Sequence, residues 1–122
     1  MPRVIHFEIN TDNVKRAVKF YADVFGWEIH QWEGPLEYYL VSTGEKDEPG
    51  IDGAITKRQH PELSTVNTIS VPSINDFREK ITGHGGRIVT EKTVIPGIGQ
   101  FCYCQDTEGN TFGIIEEETS SS

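Results

Sequence analysis

The apolar pattern of this chain runs once through residues 4–58 and then starts again at residue 65. In "VIHFEI" (4–9), Ile5, Phe7 and Ile9 alternate with Val4, His6 and Glu8. Successive side chains of a strand point to opposite faces, so one face is apolar and the other carries an imidazole and a carboxylate. "TDN" (11–13) offers helix N-caps. Residues 14–25 then place Val14, Ala17, Val18, Tyr21, Val24 and Phe25 at spacings of three and four, the stripe of an amphipathic helix. Gly26 supplies the stop, and Phe25 and Trp27 read as core. Three strands follow, over 27–33, 37–43 and 51–58, separated by Gly34-Pro35 and the polar run 44–50.

The second pass has the same grammar. Residues 65–71 alternate like a strand, and Ser73 with Asp76 resembles a capping box. Ile74, Phe77 and Ile81 mark one helix face, and "GHGG" (83–86) ends that helix. Strands are expected over 87–95, 99–106 and 111–118, with turn-rich breaks at 96–99 and 106–110. The repeat lies in element order rather than in residue identity. The expected fold class is α+β: two βαβββ modules, residues 3–59 and 65–118, forming a curled mixed sheet around a cleft. Each helix takes one face of its sheet, covering Ile5, Phe7 and Ile9, and likewise Ile69 and Val71. Val4, His6, Glu8, Thr68 and Ser70 would then line the cleft. Residues 119–122 read as a mobile tail.

A length of 122 residues suits one domain with one core. The formal net charge of −8, with no Lys/Arg cluster, argues against nucleic acid and anionic membrane partners. No stretch approaches the ~20 apolar residues of a membrane span, and no signal peptide is visible at the front of the sequence. Cys102 and Cys104 are the only cysteines. On a strand they share a face with backbones ~7 Å apart, a poor fit to a disulfide. Buried, reduced thiols in a cytoplasmic protein follow, with no base or cation nearby in sequence to activate them.

"HFEINTDNVKRAVKFYADVFGW" resembles the first unit of the glyoxalase / bleomycin-resistance / extradiol-dioxygenase superfamily, the vicinal oxygen chelate proteins. "QDTEGNTFGIIE" is similar to the closing hairpin of that family, and "GIDGAITKR" and "GHGGRIV" fit corresponding positions. The resemblance spans residues 3 to 117. It implies paired modules around a cleft, and a homodimer. It also implies four strand positions that carry ligands in the metal-dependent members. Here they fall on His6, on Ala54 with Asp52 two residues before it, on Thr68, and on Gly113 with Glu116 out of phase. Only His6 keeps a good metal-binding side chain, whereas a divalent cation wants several. No resident cofactor is therefore expected. The alternative is a divalent metal held weakly at His6.

His6 leads the candidates because its reference pKa of ~6.5 permits acid or base work near neutrality. Glu8 on the same face is its expected catalytic companion. Trp32, Tyr38, Tyr39, Phe101 and Tyr103 lie on sheet strands, and one parity set would wall the cleft. The expected ligand-binding residues are Trp32, Tyr38, Arg58, Thr68, Ser70 and Tyr103, with Arg58 as a clamp for an anionic group at the rim. His30, His60 and His84 read as surface or capping residues. The functional expectation is a small-molecule-binding protein with a degenerate metal site. The alternative is a lyase or isomerase using His6 and Glu8 as acid/base with a weakly held metal. A purely structural role, with the cleft filled by side chains, is a third reading.

Overall fold

The structure is a computed structural model and describes residues 1–34 and 37–118. The expected tail at 119–122 and Pro35 of the Gly34-Pro35 break lie outside the described residues. Two compact units emerge, Ile5–Val66, and Asn67 onward with the first four residues.

In the first unit, β1 (Arg3–Thr11) leads into α1 (Val14–Phe25), then β2 (Glu28–Gln31), β3 (Tyr38–Ser42) and β4 (Gly53–Lys57). The strand order is β2-β3-β4-β1, with β1 and β4 parallel and the other pairs antiparallel. In the second unit, β5 (Thr65–Ser70) is followed by α2 (Ile74–Gly83), β6 (Arg87–Ile88), β7 (Thr93–Ile95), β8 (Gly99–Gln105) and β9 (Thr111–Glu117). Its order is β5-β9-β8-β6, again with a parallel pair, β5 and β9, and with β7 also on β8. The two units therefore share one topology, as the repeat predicts.

The Asn13 side chain caps α1 by accepting from the Arg16 amide at 3.0 Å. Gly26 ends the helix at φ 71°, the left-handed conformation that favours glycine. Val14, Ala17, Val18 and Tyr21 pack on Phe7, Ile9, Val41 and Ile55. In the second unit Ser73 accepts from the Asp76 amide, and the Glu116 carboxylate takes the Ile74 amide at 2.8 Å. The core there joins Val71, Ile74, Cys102, Cys104 and Ile114, with Phe77 and Ile81 packed against it. No helix among the described residues is long and apolar enough to cross a membrane.

Three expectations are corrected. Phe25 is not core: it is 58% exposed, and Val24 of the same stripe is 56% exposed. They sit in the last turn of α1, where Trp27 instead lies flat against Tyr21, with centroids 5.2 Å apart and planes 3° apart. Phe25 stacks on Trp27 at 5.4 Å and stays largely in solvent. The strand expected over 87–95 is two short strands. Between Ile88↔Cys104 and Thr93↔Phe101, five residue steps on one side oppose three on β8. The two extra residues bulge out, while the Val89 and Thr90 amides both reach the Tyr103 carbonyl and Thr90 Oγ1 accepts from the Tyr103 amide. The third concerns the thiols. Arg78 of α2, which donates to the Thr90 carbonyl at 3.3 Å, is the cation missing from their sequence neighbourhood, and its charge acts on Cys102. The Cys104 hydrogen bond and then Arg78 hold the Cys102 thiol below its ordinary range, whereas Cys104 is pushed up.

Ile55 is fully buried against α1. Ile55→Ala is expected to cost about 3 kcal/mol in urea denaturation through its cavity. Val24→Ala, on the exposed turn, is expected to stay within about 0.5 kcal/mol.

Candidate functional site

Strand parity divides the first unit cleanly. Phe7 and Ile9 of β1 and Ile55 of β4 face α1. His6, Glu8 and Asn10 point the other way, and the register sets Glu8 beside Ala54 and Asn10 beside Thr56. On β3, Tyr38 pairs with Thr56 and Leu40 with Ala54, so both join this helix-free face, while Tyr39 faces the core.

Tyr38 begins in the Thr56 row, yet its hydroxyl lies 3.3 Å from His6 Nε2. Continuing the register puts His6 two rows below Glu8 and Ala54, beyond the Ala54 row. The ring therefore crosses the strand over Ala54, where the methyl side chain leaves room. Trp32 stands edge-on to Tyr38 with centroids 5.8 Å apart, and its amide donates to the Tyr38 carbonyl at 2.8 Å. Asn10 Nδ2 donates to Glu8 Oε1 at 3.3 Å and to the Ser64 carbonyl at 2.9 Å. Asp52 takes the Thr43 amide at 2.9 Å and acts on His6 through its charge.

Burial lowers the His6 pKa below the ordinary 6.5, and the Asp52 charge opposes that only in part. Burial raises the Tyr38 pKa well above the usual phenol range, and the Glu8 charge adds to it. At neutral pH the pair is a neutral imidazole beside a protonated phenol. One imidazole tautomer accepts the phenol O–H at Nε2; the other donates to the phenol oxygen.

The structure thus brings His6, Glu8, Tyr38 and Trp32 together. Arg58 stands apart from them. Its guanidinium bonds Asp12 Oδ1 at 3.1 Å, the Asn10 carbonyl at 3.3 Å and the Leu63 carbonyl. It ties the end of β1 to the segment after β4, so its donors are already engaged within the fold. In the second unit Thr68 is buried and pairs with Gly113, which pairs in turn with Tyr103. Tyr103 meets Phe101 edge-to-face at 4.8 Å. Ser70 donates to Glu117 Oε1 at 2.9 Å and lines a groove of about 630 Å³ with Val71, Val94, Gln100 and Glu116. Sequence reasoning missed Asn10, a buried polar residue whose sole signal was its shared parity with His6 and Glu8.

A "Glyoxylase-like domain-containing protein" of Didymella fabae is 30% identical over 112 residues, covering 88% of each chain. The chain belongs to the glyoxalase/bleomycin-resistance superfamily. Residues 3–44 also match the family described as bleomycin resistance protein-like N-terminal. Among solved structures, the hypothetical protein BH1468 from Bacillus halodurans C-125 aligns with TM-score 0.72 at 13% identity, over 99% of this chain and 98% of that one. A variant of the Streptomyces coelicolor methylmalonyl-CoA epimerase, in complex with 2-nitronate-propionyl-CoA, gives TM-score 0.71 at 13% identity, over 98% and 97%. At that identity the two share a fold with this superfamily member.

The superfamily's four ligand positions have a physical reading here. A β-carbon added at Gly113 would come 2.5 Å from the Phe101 ring and 3.4 Å from Thr68 Oγ1. The space a ligating side chain would need is filled by an aromatic ring. Glu116, out of phase as the spacing says, faces the other way and caps α2. Among the described residues, no group of three or more His, Cys, Asp or Glu side chains is placed to hold a metal ion.

Gly113→Ala is expected to destabilise the fold by about 1–3 kcal/mol through overpacking, and Phe101→Leu in the same chain to recover part of it. Paired urea denaturation of the single and double variants checks this. His6 gives a pH signature. With its folded pKa below 6.5, the unfolded chain takes up the proton first as pH falls. Its contribution is complete above pH 6.5 and is lost as pH drops below that value. His6→Gln is expected to flatten this part of the stability–pH curve.

Proposed function

We propose that this superfamily member binds a small organic molecule on the helix-free face of its first unit, without the divalent metal used by metal-dependent relatives. The observation that carries the reading is the His6–Tyr38 contact. A half-buried polar pair with Trp32 at its edge offers hydrogen-bonding groups and an aromatic wall to one ligand. The residues present do not fit a chelated metal. His6 has the Tyr38 hydroxyl as a neighbour, the Tyr38 ring passes over Ala54, and Phe101 fills the space at Gly113. The family resemblance adds a homodimer to this reading, and the two unbridged, buried thiols support a cytoplasmic location.

A second reading rests on the neutral state of the imidazole. An unprotonated His6 can accept a proton from a bound carbon or oxygen acid, with the Glu8 charge close to the Tyr38 phenol. That chemistry belongs to a lyase or isomerase. Turnover that persists in chelator and disappears in His6→Ala would separate it from binding alone.

The test of binding is a thermal-shift panel of small aromatic compounds bearing hydroxyl, carboxyl or amine groups. Saturable stabilisation is expected, unchanged by EDTA. His6→Ala and Tyr38→Phe are each expected to weaken it about tenfold, the worth of one hydrogen bond. Elemental analysis that found one tightly held nickel, zinc or iron per gently purified chain would overturn the metal-free reading.

A further inference from the structure

The registers of the first unit lay its helix-free face out in rows across four strands. Continuing them sets Asp52 beside His6 and opposite Ser42, which pairs with Glu28. The next row runs from His30 through Leu40 and Ala54 to Glu8. The third begins with Trp32 and Tyr38. Leu40 is 45% exposed in the middle of this face, an apolar floor beside two aromatic rings. Asp52 and Glu8 are diagonal neighbours on adjacent strands, about 8 Å apart at the backbone. One small charged group fits within reach of both carboxylates.

The charge in these rows has one sign. Glu8, Glu28 and Asp52 carry it, and none of the three rows holds a Lys or Arg. Two cations lie past the ends of the rows. Arg58 is paired with Asp12 at 3.1 Å. Lys46, in the loop before β4, shares a small hollow with Glu45, Glu48 and Asp52. Lys15, Arg16 and Lys19 belong to α1, on the opposite side of the sheet. The carboxylates also act on the central polar pair, Asp52 on His6 and Glu8 on Tyr38. An anionic ligand would meet three carboxylates and only neutral donors, a like-charge juxtaposition that rejects it. A cation would find charge-assisted acceptors in Glu8 and Asp52 and aromatic rings in Tyr38 and Trp32.

We propose that the ligand of this face is an organic cation, a protonated amine or amidine held between Glu8 and Asp52 with its apolar body on Leu40 and the rings of Tyr38 and Trp32. The inference rests on the binding role proposed above and adds the charge of the ligand to it. The acidic rows attract such a ligand from solution as well as holding it, so its binding weakens with salt.

The test is an amide chemical-shift titration of the full chain near neutral pH. The probes are benzylamine, phenethylamine and 3-phenylpropylamine, each beside the alcohol and the carboxylate of matching length. At least one amine is expected to bind about tenfold more tightly than its alcohol, with the carboxylate weaker still. The shifts are expected to centre on Glu8, Tyr38 and Leu40. Glu8→Gln and Asp52→Asn each keep an acceptor oxygen and lose the charge. Each is expected to weaken the amine about fivefold and to leave the alcohol within about twofold. Raising sodium chloride from about 20 to about 500 mM is expected to weaken the amine severalfold and spare the alcohol. The salt series uses the parent chain and holds even where a variant does not fold. An alcohol or carboxylate that bound as tightly as its amine would overturn the cation and leave the binding face standing. Amine binding that ignored both substitutions, or whose shifts centred on the groove beside Glu117, would do the same. Binding by none of the nine compounds would overturn both readings.

Discussion

The parallel register of β1 on β4 governs the first unit. It fixes Glu8 beside Ala54 and Asn10 beside Thr56, and it leaves Phe7 and Ile9 to α1. Because strand side chains alternate, a slip of one residue would exchange the two faces, burying His6 and exposing Phe7. Parallel pairing between strands so distant in sequence needs a crossover, and α1 supplies it. Asn10 and Arg58 reinforce the far end by bonding backbone carbonyls of the segment after β4. The polar face is thus a by-product of the same contacts that build the core.

Small residues and aromatic rings are distributed together in both units. Tyr38 crosses its sheet over Ala54, and Phe101 lies over Gly113. Each ring takes space beside a residue with little or no side chain, as close packing requires. The second unit has thereby become an aromatic and hydroxyl surface, with Tyr103 and Thr68 beside the same glycine. The first has kept an imidazole and a carboxylate. One topology carries two different surfaces, because the side chains that point away from the helices are under no demand from the core.

Much of the architecture was legible in the sequence because alternation and helical spacing are local signals. The stripe from Val14 to Tyr21, the Asn13 and Ser73 caps and the Gly26 stop all follow from residues a turn apart. Val24 and Phe25 fit the same stripe but lie where the helix ends, and the place under Tyr21 goes to Trp27. The break between β6 and β7 depends on register with β8, which residues 87–95 do not encode by themselves. Half of the first-unit site was readable: parity puts His6 with Glu8. The reach of Tyr38 to His6 depends on a long side chain crossing between strands, and spacing along the chain carries no trace of it.

If this face binds a ligand as proposed, the His6–Tyr38 contact makes recognition there a substitution. A molecule that approaches His6 must displace the phenol or extend the pair, so it has to offer a hydrogen-bonding group of its own. A purely apolar guest that covered the pair would strand two half-buried polar atoms, at a cost of about 1–3 kcal/mol. Discrimination of this kind works by penalty: it rejects a guest that lacks a polar group more strongly than it rewards one that has it.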